Sequence, residues 1–199
     1  MSEKRYEILR KEVLYEGYFR ADRWHLRYRK HDGGWSAEHG LEVFDRGHAT
    51  CVLPYDVARD SVVLVEQFRP AAAQTTEPPW LIEAIAGGMK PGEAPDQVAR
   101  REAREEAGLE LGALHRVMRF LVSPGAVTEE LHVFIGEADS TGVGGHHGLA
   151  DEHEDIKVHV LPFTQALAMV EDGRIVAANT VVPVLWLALH KDEIREAWG

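Results

Sequence analysis

The chain is poor in cysteine, in long apolar runs and in basic charge, and each shortage removes a class of protein. One cysteine, Cys51, occurs in 199 residues, so no intramolecular disulfide can form. It sits inside Ala49-Thr50-Cys51-Val52-Leu53, where an apolar setting reads as a buried strand residue and not as an activated nucleophile. The longest apolar run, Val181 to Leu189 with Pro183 inside it, is about half a membrane span. The opening MSEKRYEILRKEVLYEG is charged throughout and lacks the apolar core of a signal peptide. No membrane association and a cytoplasmic location are therefore expected. Lys and Arg number 22 against 33 Asp and Glu, giving a net charge of −11 and a pI near 5.4. So negative a surface repels phosphate backbones, and no basic patch offsets it, which argues against a nucleic-acid partner. An anionic substrate would have to be brought in by metal and a few placed arginines. Repeats, low-complexity tracts and linkers are also missing.

What is present is concentrated between Gly87 and Leu109, GGMKPGEAPDQVARREAREEAGL. Gly87, five residues, Glu93, seven residues and then Arg101-Glu102-Ala103-Arg104-Glu105-Glu106-Ala107-Gly108-Leu109 make a pattern of glycines and charges at fixed offsets. In a helix over about 95–107, Glu102, Glu105 and Glu106 are three and four residues apart and form one stripe separated by about one turn, roughly 6 Å. Like charges so spaced repel, whereas their oxygens suit Mg²⁺ ions clamping a diphosphate. The helix has its punctuation in Pro95, Asp96 and Gly108. The bland alternative is a solvated charged helix; the turn of Gly87, Gly88, Pro91 and Gly92 weighs against it by bringing backbone, including the Ala86 carbonyl, close to the helix.

Around this segment the chain reads as α+β. Strands are expected at 13–19, 23–29 and 41–44 as an antiparallel meander, then at 47–55, 61–69, 80–86, 116–121, 131–137 and 156–161. After a long loop from 139 to 155, helices are expected at 163–171 and 180–197. A domain boundary near residue 46 separates the meander, 1–46, from the remainder, 47–199. At 45% hydrophobic content the chain can bury a core of that size. Two further regions bear on chemistry. Arg69 ends a strand, an always-charged fork suited to phosphate, or else a partner for a nearby glutamate. Asp151-Glu152-His153-Glu154-Asp155 crowds four carboxylates and a histidine into five residues; it is a charged surface loop or the source of a general base beside a metal. His146, His147 and His153 lack thiolates or a helical histidine pair, so they read as solvated loop residues and not as a zinc site.

The spacing from Gly87 to Leu109 resembles the Nudix box, with Ala103 smaller than the usual aliphatic. Over nearly the whole chain, through Val65-Glu66-Gln67, Trp80-Leu81-Ile82-Glu83, Ser123-Pro124-Gly125 and GLADEHEDIKVHV, the resemblance is to bacterial ADP-ribose pyrophosphatases. It implies the Nudix fold, a mixed sheet sandwiched between helices (α/β/α), with a small N-terminal antiparallel meander. It implies Mg²⁺-dependent hydrolysis of ADP-ribose to AMP and ribose 5-phosphate, with two or three ions and Mn²⁺ able to substitute. Carried over residue by residue, Glu102 and Glu106 ligate metal with the Ala86 carbonyl and Glu154, Glu105 assists, and Arg101 orients the glutamates. Glu152 is then the general base, Arg69, Glu83 and Glu129 contact substrate, and Glu129 or Glu154 is the alternative base. A homodimer with a swapped N-terminal subdomain that touches the nucleotide is also implied. The family's basic residue just before the position of Glu42 is here Leu41, so that base contact does not carry over. Tyr18, Phe19 and Trp35 are open to stacking on adenine or to packing. Cleavage of another nucleotide sugar such as GDP-mannose, or binding of ADP-ribose without cleavage, are the alternatives.

Overall fold

In the computed structural model, residues 4–149 and 153–199 are described, and they divide into two compact units: 1–48 with 121–130, and 49–120 with 131–199. The first unit is a three-stranded antiparallel sheet of β1 (Tyr6–Glu16), β2 (Arg20–Tyr28) and β3 (His39–Asp45). The strap from 121 to 130 pairs with the end of β3: Phe44 N–H donates to the Ala126 carbonyl at 2.7 Å, and Thr128 N–H to the Phe44 carbonyl at 3.1 Å. β1 starts at Tyr6, well before the expected residue 13. Its side chains are exposed at nearly every position, so no alternation of burial marks its first half.

The second unit is a sandwich. Its strands are β4 (Ala49–Asp56), β5 (Ser61–Phe68), β6 (Trp80–Glu83), β7 (Ile85–Gly88), β8 (Leu114–Leu121), β9 (Glu130–Glu137), β10 (Gly145–His147) and β11 (Ile156–Pro162). They run in the order β10-β11-β5-β4-β9-β8, β4 and β9 being parallel. Helices α1 (Pro95–Ala107), α2 (Phe163–Glu171) and α3 (Ala178–Trp198) cover the sheet. β4 and β5 are buried along almost their whole length, because alternate residues enter two cores. Val52, Val63 and Val65 pack with Ala99, Ala103 and Ala107 of α1; Leu53, Tyr55, Val62 and Leu64 pack with Phe163, Met169, Val184 and Leu187 of α2 and α3. The expected fold class is thus observed. Cys51 is buried and unpaired, and burial pushes its thiol up to about 12, as befits a strand residue.

One departure matters for the site. β4 and β5 pair only at Tyr55↔Val62 and Asp56↔Ser61. Beyond that they diverge, and the expected strand 80–86 is split to fill the fork: β6 pairs with β5 and β7 with β4. Ala84 stands alone at the handover. The loop expected from 139 to 155 also contains β10, paired with β11. Among the described residues no helix is long and apolar enough to cross a membrane.

Candidate active site

The helix α1 begins and ends where its residues dictate. Pro95 occupies the first turn, the Gln97 side chain accepts the Ala94 N–H at 3.1 Å, and Gly108 closes the helix in the left-handed conformation at φ 60°. Ala99, Ala103 and Ala107, four apart, face the sheet and let the helix lie close to it. Glu102 and Glu106 each precede one of these alanines, so the stripe that carries the carboxylates is drawn in with the stripe that packs, and both are buried. Gly87 of β7 records how tight the approach is: a Cβ there would overlap the Glu102 carboxylate.

Arg101 organises the helix face. Its Nε and Nη2 donate to the two oxygens of Glu93 at 2.9 and 3.2 Å. Its Nη1 donates to Glu102 at 2.6 Å and to Glu105 at 2.9 Å, and Nη2 also reaches the Gly88 carbonyl at 3.1 Å. Box glycine strand, box glutamate and helix are thereby tied by one guanidinium, the arrangement its fork of donors allows.

Glu106 is treated differently. The bond found for its carboxylate is a 3.2 Å donation from the Ala86 N–H. Burial raises its pKa well above the usual carboxylate range, and the charges of Glu102 and Glu154 raise it further, while Arg69 acts the other way. Glu102 is also raised, first by burial and then by Glu105 and Glu154, against the pull of Arg101. Glu154 therefore stands near both, its own Oε2 accepting the Leu149 N–H at 3.3 Å. Hard oxygen donors without thiolate or imidazole, buried with more negative charge than their neighbours balance, suit a divalent cation such as Mg²⁺. Among the described residues no three His, Cys, Asp or Glu side chains are grouped so as to hold a metal ion, and Glu102 is bonded to Arg101. Glu152 lies outside the described residues.

Arg69 is adjacent. Its Nε donates to Glu83 at 2.6 Å, and the buried Glu83 also accepts from Asn179 Nδ2 at 3.4 Å. Gln67 of β5, two residues before Arg69, is buried with its Nε2 lacking a partner among the described residues. Glu129 belongs to the first unit. It is buried, bonded to Arg46 at 3.2 Å, and its carboxyl is raised by burial against the opposing charges of Arg46 and His48. Of the candidate stacking residues, Trp35 lies against the guanidinium groups of both Arg27 and Arg29, and Tyr18 is fully exposed beside Phe19.

The structure thus brings together Ala86, Arg101, Glu102, Glu105, Glu106, Glu154, Arg69 and Glu83 within the second unit. Asn179 and Thr180 were not singled out from the sequence. Their pattern, two polar residues before an apolar run, is that of a helix start, but the N-cap is Ala177, which leaves both side chains for other work.

A NUDIX domain model matches residues 45–181, well over half of the chain. The ADP-ribose pyrophosphatase of Escherichia coli (strain K12) is 47% identical over 193 residues, covering 97% of this chain and 92% of that protein. The GDP-mannose pyrophosphatase of Shigella flexneri is 35% identical over 184 residues, covering 92% and 94%. A crystal structure of an ADP compounds hydrolase superposes with a TM-score of 0.74 at 17% identity, over 98% of this chain and 99% of that one. That likeness speaks for the fold. The helix punctuation, the glycine fitted to Glu102 and the extent of these matches lead to one assignment: the chain belongs to the Nudix family.

Proposed function

We propose that the protein hydrolyses the diphosphate bond of ADP-ribose, yielding AMP and ribose 5-phosphate. The observation that carries the reading is the buried, under-compensated pair Glu102 and Glu106 beside the Arg69 guanidinium. Two or three Mg²⁺ ions, for which Mn²⁺ can stand in, would be held by Glu102, Glu106, Glu154 and the Ala86 carbonyl, and when bound they supply neutralisation of the diphosphate and a positioned water.

The chain's own residues do the rest. Arg101 keeps Glu102 and Glu105 in place, with Glu105 in an assisting role. Arg69, its Nε fixed by Glu83, presents its terminal nitrogens to the phosphate oxygens, and the Gln67 amide, two residues before it, is a second donor. Glu152 accepts the proton of the attacking water as its oxygen bonds to phosphorus and the bond from that phosphorus to the bridging oxygen breaks. Glu129 is assigned to the terminal ribose on its motif alone. The N-terminal sheet exposes Tyr6, Leu9, Val13 and Tyr15, which supports a homodimer with a swapped N-terminal subdomain. The single cysteine, buried and unpaired, accords with a cytoplasmic enzyme.

Purified protein given ADP-ribose should release AMP and ribose 5-phosphate with Mg²⁺ and stop in EDTA. The 35% identity to a GDP-mannose pyrophosphatase supports the second reading, another nucleotide sugar as substrate. Preference for GDP-mannose in the same assay would replace the first reading with it. Binding of ADP-ribose with no turnover in Mg²⁺ would indicate a sensor.

A further inference from the structure

The fork between β4 and β5 leaves a backbone group to be satisfied. Ala84, between β6 and β7, cannot use its N–H in either ladder at the handover, and that N–H donates to Thr180 Oγ1 at 2.7 Å. Thr180 is completely buried. A hydroxyl that accepts there keeps its own proton for another partner, and Thr180 Oγ1 lies 3.2 Å from Asn179 Oδ1. With its carbonyl end taken, the Asn179 amide turns its Nδ2 to Glu83 Oε1 at 3.4 Å. Glu83 Oε2, the remaining oxygen, takes Arg69 Nε at 2.6 Å. Every donor and acceptor along this line has one consistent role, which fixes the orientation of the amide and of the carboxylate. The line runs from the strand handover, through the first turn of α3, to the guanidinium.

We infer that Asn179 and Thr180 are positioning residues that set the Glu83–Arg69 pair and so the grip on the substrate's diphosphate. The inference rests on the proposed role of Arg69 in holding that diphosphate. Without Asn179, Glu83 can rotate about its terminal torsion, which is broad, and Arg69 follows it. Thr180 acts one step further back, by holding Asn179 in the orientation that donates. Neither residue touches the reacting atoms. Their loss should therefore appear in binding and KM, with the chemical step left almost as it was.

The test uses the full chain and the α,β-methylene analogue of ADP-ribose, titrated calorimetrically in EDTA so that Arg69's share is read without metal, alongside steady-state kinetics in Mg²⁺. Asn179→Ala should weaken binding and raise KM by about five- to tenfold, with kcat within about twofold. Asn179→Asp, which cannot donate and adds a like charge beside Glu83, should weaken binding further. Thr180→Val should resemble Asn179→Ala, and Thr180→Ser, which keeps the hydroxyl, should restore wild-type affinity. In an Arg69→Ala background Asn179→Ala should have no further effect on binding. Unchanged affinity in a folded Asn179→Ala variant, or an equal loss in the Arg69→Ala background, would overturn the inference; thermal unfolding of each variant establishes that it is folded. A wild-type protein that ignores ADP-ribose but cleaves another nucleoside diphosphate sugar overturns the substrate reading alone, and the same variants assayed on that substrate then decide the relay.

Discussion

Two buried carboxylates in the same unit meet opposite fates. Asp56, at the end of β4, is held by four donors: the Ser140 N–H at 2.9 Å and hydroxyl at 2.6 Å, and the Arg59 N–H at 3.0 Å and Nη1 at 2.9 Å. Burial by itself raises its pKa, but these bonds outweigh burial and bring it down to about 2. Glu106, on α1, has the Ala86 N–H at 3.2 Å, and burial together with Glu102 and Glu154 pushes it up. Asp56 is a carboxylate whose acceptor capacity is filled by the protein. Glu106 is left with most of its acceptor capacity unfilled, and its charged form is disfavoured. Saturation separates the filled acid from the open one, and burial alone does not.

The largest expected effect tests the second half of that contrast. Glu106→Gln should lower turnover with Mg²⁺ by at least about 10²- to 10³-fold. It should leave the fold intact and make the metal-free protein no less stable, because a buried acid with one 3.2 Å hydrogen bond has been replaced by a neutral amide. Mg²⁺ at a hundred times its Kd should stabilise the wild type by about 2.7 kcal/mol, a shift of roughly 5–10 °C in Tm, and the variant should lose most of it. Near-normal turnover in Glu106→Gln would erase the distinction from Asp56. Comparable in size is Glu152→Gln, expected to slow the reaction about 10²- to 10⁴-fold as a lost general base does, while Mg²⁺ affinity measured by calorimetry is kept. Should Glu129→Gln or Glu154→Gln prove more damaging, the base is that residue.

The smallest effect tests Asp56. Asp56→Asn should cost about 2–3 kcal/mol, seen as a Tm lowered by roughly 5–10 °C, with kcat per folded molecule unchanged. The pH dependence follows the depressed pKa. Because Asp56 binds its proton more weakly folded than unfolded, its contribution is complete above the unfolded value of 3.8 and disappears as pH falls through about 2. Acid titration of unfolding between pH 4 and 2 should therefore be shallower in Asp56→Asn than in the wild type; equal slopes would mean that Asp56 is not held as described.

What could be read from the sequence follows the range of the forces involved. α1 was legible to its last residue, since Pro95, the alanine and glutamate stripes and Gly108 act within one or two helical turns. β4 and β5 were legible as strands at 47–55 and 61–69, and their burial on both faces came with the structure. The break at Ala84 was not, because it arises from the divergence of β4 and β5, strands paired through contacts far apart along the chain. Asn179 was missed for the same reason: its partner Glu83 is 96 residues away, and locally it looks like the start of a helix. β1 was shortened because a strand exposed on both faces need not alternate.

Gly87 carries a consequence of another kind. The carboxylate of Glu102 occupies the volume in which a side chain at residue 87 would grow. A single added methyl there would displace the Glu102 carboxylate from its place beside Arg101 while leaving every charged residue of the chain in its sequence. On the proposed role of Glu102, activity would then be lost to one superfluous carbon atom on a strand, and a survey of variants confined to acids and bases would pass over the glycine with the least clearance in the second unit.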